Sequence, residues 1–421
     1  MTHEPGTTAH SVPTRGQRDS AAIRLILALA RRLQCGRLDI TLPDGRQRSF
    51  RGPEDGPTAQ LTVHRPRFIR RMVMGGALGF GEAYVDGDVD SADPAKLLEL
   101  TARNETVLRT ILRGKPWARV MAQLTHMLRP NSRRGARHNI AAHYDLGNAF
   151  YSAWLDDTMT YSSAVFARPQ DDLEAAQHEK YRRIAELAGL RPEHHVLEIG
   201  CGWGGFAAYA AGVVGCRVTA LTISEAQYKH ARARIAAAGL DDRVTVAFRD
   251  YRDEVGSYDR IVSIEMIEAV GEAWWTTYFR QLHDRLEAGG RAVLQAITMD
   301  DALFPSYRRG VDFIQRYIFP GGMLLSPGIL TQEAQAAGLT PAQSHGYGPH
   351  YAETLRRWRE RFEGAWPRIA GLRGGRFDER FRRMWRYYLA YCEAGFVEGR
   401  LDVVQAAFDR PAPNAAAGAA S

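Results

Sequence analysis

One short segment constrains this chain more than any other. The run His195-Val196-Leu197-Glu198-Ile199 passes directly into Gly200-Cys201-Gly202-Trp203-Gly204-Gly205. An apolar strand that ends in glycines and continues as a helix marks the ligand crevice of a doubly wound sheet. Glycine permits positive φ and lets a ligand approach the backbone closely. The following sequence keeps the pattern: strand-like runs at 217–223, 244–249, 258–264 and 291–297 alternate with helical stretches at 205–213, 225–238 and 272–287. Such a series predicts an α/β, Rossmann-like domain, its sheet mostly parallel and covered by helices.

The crevice carries its own chemical hints. A dinucleotide loop has the spacing G-x-G-x-x-G, whereas this one is G-x-G-x-G-G, with Glu198 two residues ahead of its first glycine. The second strand ends in Leu221-Thr222-Ile223-Ser224, without the acid that holds a ribose in NAD folds, and the third ends at Asp250. An acid before the loop and another after the third strand suit an adenosine that carries an amino-acid group and no phosphates. This favours S-adenosylmethionine (SAM) over a dinucleotide.

The rest of the chain divides by composition. Residues 1–20 are polar and aperiodic, a disordered tail. Residues 21–34 have apolar positions at helical spacing between arginines, which fits a membrane-surface helix or a packed helix of a small domain. Alternating runs between 36 and 64, and a helical stretch at 94–103, make 21–105 a small α+β domain. Residues 106–142 are a basic linker with Arg109, Arg113, Lys115, Arg119, Arg129, Arg133, Arg134 and Arg137 and no acid. That stretch and the net charge of +7 favour an anionic partner, whether a lipid surface or nucleic acid. Residues 300–350 read as irregular, 352–410 as mostly helical and 411–421 as a loose tail. No apolar run approaches the ~20 residues of a membrane span. No leader pattern precedes the first domain, and the four cysteines lack metal-knuckle spacing. The expected location is the cytoplasm, with no metal.

Longer motifs carry a family resemblance. HYDLGNAFYSAWLDDTMTYSSAVF at 143–166, VLEIGCGWGGFA at 196–207, ALTISEAQ at 220–227, DYRD at 250–253 and IVSIEMIEAVG at 261–271 resemble the cyclopropane-fatty-acyl-phospholipid synthases and the related mycolic acid and methylene-forming fatty-acid methyltransferases. DFIQRYIFPGG at 312–322, HYAETLRRWRERF at 350–362 and RMWRYYLAYCEAGF at 383–396 complete the set. The resemblance implies a SAM-dependent methyltransferase domain over 143–410, with a seven-stranded sheet and helical insertions that cover the substrate. The N-terminal domain would be lipid-associated, with GGALGFGEAYVDGDVD as its similar segment. The implied reaction is transfer of a one-carbon unit to the cis double bond of an acyl chain in a phospholipid. By the same resemblance, Tyr161, Ser162, Glu198, Gly200, Gly202, Gly204, Thr222, Gln227, Asp250 and Tyr251 contact SAM.

Methyl transfer to an alkene leaves a carbocation on the neighbouring carbon. The site must stabilise it, exclude water and accept one proton. Tyr144, Tyr161, Tyr317, Phe319 and Tyr351 are candidate aromatic faces. Glu268 matches the family's active-site glutamate. The family holds a bicarbonate on a glutamate, a cysteine, a histidine, a tyrosine and a backbone group, here Glu268, Ser163, Gln295, Tyr351 and Ile297. Two of these depart from the family pattern, since cysteine is Ser163 and histidine is Gln295; the usual EHVG is also EAVG, with Ala269. Neither serine nor glutamine is a base near neutral pH. The expectation is a weakened bicarbonate-like site or a different role for Glu268.

Proton loss from the transferred methyl closes a cyclopropane ring. Loss from the adjacent group on the chain is read as giving a methylene branch, which a partner reductase could saturate. The EAVG and QAIT variants resemble the methylene-forming relatives. The expected partners are an anionic phospholipid bilayer, bound peripherally at the inner surface, and a second copy of the chain. Two other readings use the same fold: a nucleic-acid or small-molecule methyltransferase, and a lipid-binding homologue with impaired catalysis. Against nucleic acid, Glu265-Met266-Ile267-Glu268 after the fourth strand is no base-flipping signature.

Overall fold

The computed structural model describes residues 20–112, 146–372 and 375–412. Nearly all of both expected tails, and most of the basic run, lie outside the described residues.

The alternating runs between 36 and 64 form strands, as their pattern predicts. Strands β1 (Cys35–Thr41), β2 (Gln47–Arg51), β3 (Glu54–Val63) and β4 (Val89–Asp90) pair in the order β2-β1-β3-β4. In β3 every second residue from Pro57 to Val63 is buried, as alternation requires of a sheet with one wet face. The helix Ala21–Ala30 buries Ile26, Leu27 and Ala30, so the packed-helix alternative describes it. The helix Pro94–Arg103 is started by Asp93, whose carboxylate accepts from the Ala95 and Lys96 amides.

The larger sheet has strands β5 (His195–Ile199), β6 (Arg217–Thr222), β7 (Val244–Phe248), β8 (Tyr258–Ile264), β9 (Leu286–Met299), β10 (Thr340–Gly346) and β11 (Leu401–Asp409). Their order is β10-β11-β9-β8-β5-β6-β7. Strands β5 to β9 pair in parallel, and β11 runs antiparallel to both β9 and β10. Apolar clusters cover both faces. Ile184, Phe206 and Ala210 lie on one side, and Tyr278, Phe279 and Leu282 on the other.

Two regional readings are corrected. The segment 300–350 contains the helix Pro327–Ala336 and the edge strand β10. The segment 352–410 holds the long helices Gly348–Ala370 and Glu379–Val397 but ends in β11.

The Glu379–Val397 helix joins the two units. Gly81, in the helix Arg67–Val85, has no side chain, and a Cβ there would come within 2.9 Å of the Tyr387 ring. Arg383 donates to the carbonyls of Tyr84 (2.7 Å) and Val89 (2.6 Å) and to Asp90 (2.9 Å). One core cluster consequently runs from Ile26 and Phe68 through to Trp358 and Trp385.

Candidate active site

The carboxyl ends of β5 to β9 open on a single cavity of about 760 Å³, within the range typical of small-molecule sites. One end is polar and built by the glycine loop. The other runs into the small domain, among Leu38, Leu61, Phe68 and Leu97.

At the polar end Gly200 (φ +83°) and Gly202 (φ +53°) line the cavity. A Cβ on Gly200 would meet Met266 Cγ at 2.7 Å, so the close turn requires glycine. Gly204 does not line the cavity. It is a positive-φ glycine at the start of the next helix, and a Cβ there would come within 3.0 Å of Ala231.

Glu198 is buried at the cavity wall, and its Oε2 has no hydrogen-bond partner among the described residues. Burial pushes its carboxyl up to about 8, with Lys180 and the Ala207 amide pulling the other way. An orphaned buried acceptor beside a glycine loop fits the hydroxyls or ammonium of a SAM molecule. Thr222 donates to Gln227 Oε1 at 2.9 Å, and both line the cavity. Asp250 and Tyr251 line it as well, with Asp250 held bidentately by Arg252 at 2.9 and 2.7 Å.

The loop before the Leu173–Leu187 helix supplies Tyr161 and Ser162. The Tyr161 and Tyr388 hydroxyls share a hydrogen bond of 2.6 Å, and both rings line the cavity. Ser162 accepts from the ammonium of Lys180 at 2.7 Å. Lys180 is fully buried, and burial lowers it to about 7 against the opposing pull of Glu265, Asp156 and Glu198. The sequence reading missed Lys180; its signal is a lysine on the buried helical stripe of Leu173, Ala176, Gln177, Tyr181 and Ile184.

The expected anion site is organised differently from its expectation. The Ser163 amide donates to Glu265 Oε1 at 2.7 Å, Gln295 Nε2 donates to the same oxygen at 2.8 Å, and the Tyr351 hydroxyl donates to Oε2 at 2.7 Å. Three of the five groups expected to grip a bicarbonate therefore grip a carboxylate of the protein. Ser163 contributes its amide only, because its hydroxyl donates to the Ala164 carbonyl at 3.0 Å. The fourth group, the Ile297 amide, donates directly to the fifth, Glu268, at 2.6 Å on Oε1. The residues present do not fit a bound bicarbonate.

Glu268 is buried against the cavity, and its Oε2 has no hydrogen-bond partner among the described residues. Burial first and the nearby Glu265 second push it up to about 8. Glu265 is raised too, by burial, with Gln295, the Ser163 amide, Tyr351 and Lys180 opposing.

Among the expected aromatic faces, Tyr161, Phe319 and Tyr351 line the cavity. Tyr317 is not among the lining residues, and its hydroxyl donates to Glu82 at 2.5 Å. Tyr144 lies outside the described residues. Gln295 and Ser163 sit behind the wall rather than in it and act on the cavity through Glu265.

The chain is similar to known proteins along most of its length. The family model described as mycolic acid cyclopropane synthetase matches residues 131–406. The tuberculostearic acid methyltransferase of Mycobacterium tuberculosis is 43% identical over 375 residues, 86% of each chain. The cyclopropane-fatty-acyl-phospholipid synthase of Escherichia coli K12 is 36% identical over 361 residues, 85% of this chain and 89% of its own. The crystal structure of a mycolic acid cyclopropane synthase complexed with SAH and CTAB superposes with a TM-score of 0.60 at 30% identity, covering 65% of this chain and 98% of that one.

Proposed function

Because the chain belongs to the mycolic acid cyclopropane synthetase family of SAM-dependent methyltransferases, we propose that it adds a one-carbon unit to the cis double bond of unsaturated phospholipid acyl chains, with a methylene branch favoured over a cyclopropane. The observation that carries this is the single cavity, with the glycine loop at one end, aliphatic residues of the small domain at the other and two buried carboxylates between.

SAM, when bound, supplies an electrophilic methyl group. Glu198, Gly200, Gly202, Thr222, Gln227, Asp250, Tyr251, Tyr161 and Ser162 would hold it. The small domain takes the acyl tail, so it is the lipid-associated unit, and the burial of that tail supplies binding energy of ~0.8 kcal/mol per methylene. The rings of Tyr161, Phe319 and Tyr351 line the cavity and would stabilise a cation there, and the mostly apolar lining, filled by the acyl chain, would keep out the water that traps it. Glu268 and Glu265 provide the basic oxygens.

The methylene preference rests on Ala269 and Gln295 and on the methyltransferase at 43% identity. The chemistry needs one amendment, because losing a proton from a chain carbon would leave an in-chain alkene. A methylene branch forms when hydride first moves from the methylated carbon to the cation and the methyl then loses its proton. A reductase would complete a methyl branch. The partner surface is an anionic bilayer, reached peripherally; no helix among the described residues is long and apolar enough to cross a membrane.

The test is incubation with isotopically labelled SAM and vesicles of dioleoylphosphatidylglycerol, followed by mass spectrometry of the released acyl chains. Label in the chains supports the reading, and the fragment pattern separates ring, methylene and methyl products. Label in added RNA, or SAM binding with no turnover on any unsaturated lipid, would overturn it.

A further inference from the structure

We infer that the Glu265 carboxylate takes the place of a dissociable anion in this site and is itself the acceptor of the proton released after methyl transfer, an inference that rests on the lipid-methylation reading above. Three observations converge on it.

The first is the donor set. The Ser163 amide, Gln295 Nε2 and the Tyr351 hydroxyl all point at one side chain, which lines the cavity. Gln405 on β11 donates to Gln295 Oε1 at 3.0 Å and so fixes which end of that amide faces Glu265. A free anion here would find these donors engaged. It would also add negative charge to a cavity that already holds the buried carboxyls Glu265 and Glu268.

The second is the backbone. Glu265 has φ +48°, in the left-handed region that side chains rarely adopt. It is held there by its own amide, which donates to the Gln295 carbonyl at 2.7 Å. A residue kept in this conformation at the carboxyl end of a central strand points to a use for its side chain. The third is the contrast with Glu268, which has the Ile297 amide on one oxygen and an unpartnered second oxygen.

The atoms balance without a further reagent. The methyl–sulfur bond breaks with its pair left on sulfur, while the alkene π pair forms the new carbon–carbon bond. The adjacent carbon is then cationic. A C–H bond of the transferred methyl gives its proton to Glu265, and its electron pair closes the ring or, after hydride migration, forms the methylene double bond. Glu265 ends as the neutral acid. Because the base is part of the chain, it is present at every turnover without binding from solution.

The experiment uses the full chain, dioleoylphosphatidylglycerol vesicles and buffer freed of carbon dioxide, with and without added millimolar bicarbonate. Wild-type turnover should change less than twofold on addition. Glu265→Gly suits the positive φ and should fold and bind SAM normally, yet lose turnover by ~100-fold or more, the scale of a lost general base. Bicarbonate should restore it at least tenfold by filling the vacated donor set. Glu265→Gln, which fills the space without a basic oxygen pair, should be equally inactive and not rescued. A wild type that needs bicarbonate, a Glu265→Gly variant active without it, or a folded, SAM-binding Glu265→Gly variant that bicarbonate does not restore would each overturn the assignment. A wild type that methylates no unsaturated phospholipid under any buffer would instead remove the lipid reading beneath it.

Discussion

Replacing Lys180 by methionine should make the protein more stable at neutral pH and less active. The Lys180 ammonium is fully buried, with Ser162 Oγ as its hydrogen-bond partner at 2.7 Å and the Tyr181 ring 4.7 Å away. Its folded pKa is lowered to about 7 by burial. An unfolded lysine titrates near ~10.4, so the gap of roughly three and a half units, at ~1.4 kcal/mol each, bounds the effect at about 5 kcal/mol. Between pH 7 and pH 10 the unfolded chain holds a proton that the folded chain has released. Unfolding free energy from this group therefore rises with pH across that window and is lowest at pH 7 and below. Methionine has similar length and no charge to desolvate, which removes about 4 kcal/mol of that disadvantage at pH 7. Losing the Ser162 hydrogen bond costs about 1 kcal/mol, and Glu265, Glu198 and Asp156 lose a compensating positive charge. The net expectation is a gain of about 1–3 kcal/mol, read as a rise of a few degrees in Tm. Melting curves of both proteins at pH 7 and pH 9.5 provide the assay, with the difference shrinking at the higher pH. Turnover should fall at the same time. A Lys180→Met protein that melts lower than wild type at pH 7, or an advantage that does not shrink at pH 9.5, would refute the reasoning.

Three further outcomes are expected. Glu268→Gln keeps the acceptor for the Ile297 amide and the side-chain volume, so SAM affinity should stay within about threefold (~0.6 kcal/mol) while turnover collapses; titration calorimetry and product release check the two halves. Tyr351→Phe removes a hydrogen bond that lowers the Glu265 pKa, so the ionised form is lost at higher pH and the acidic limb of the pH–rate profile should move upward. Leu61→Trp places a larger side chain at the apolar end of the cavity, at ~1–3 kcal/mol of strain, and should turn a mixed-vesicle competition toward shorter acyl chains, read by mass spectrometry.

The strands and helices between 180 and 300 were legible because their periodicities switch cleanly and glycine loops punctuate them. The last two strands were not. Leu401–Asp409 has an apolar, alanine-containing interior without turn residues, and only pairing with β9 and β10 on its two sides makes it extended. Thr340–Gly346 is exposed at every position, so no alternation marks it. In the site, the glycine loop and Glu198 announce themselves by position after an apolar strand. Glu265 has the same kind of position at the end of Ile261-Val262-Ser263-Ile264. However, the groups that hold it come from residues 163, 295 and 351, far apart in sequence, and its backbone conformation leaves no trace in residue identity. The donors expected around an exogenous anion converge instead on a side chain of the protein that no motif singled out.

The far wall of the cavity belongs to strands and helices of the small domain, whose sheet shares no strand with the one bearing the carboxylates. Selection on tail length can then act on Leu38, Leu61, Phe68 and Leu97 while the reacting centre stays untouched. The small domain would work as an exchangeable gauge, and a library restricted to those four positions should yield enzymes that measure different lipids with one unaltered chemistry.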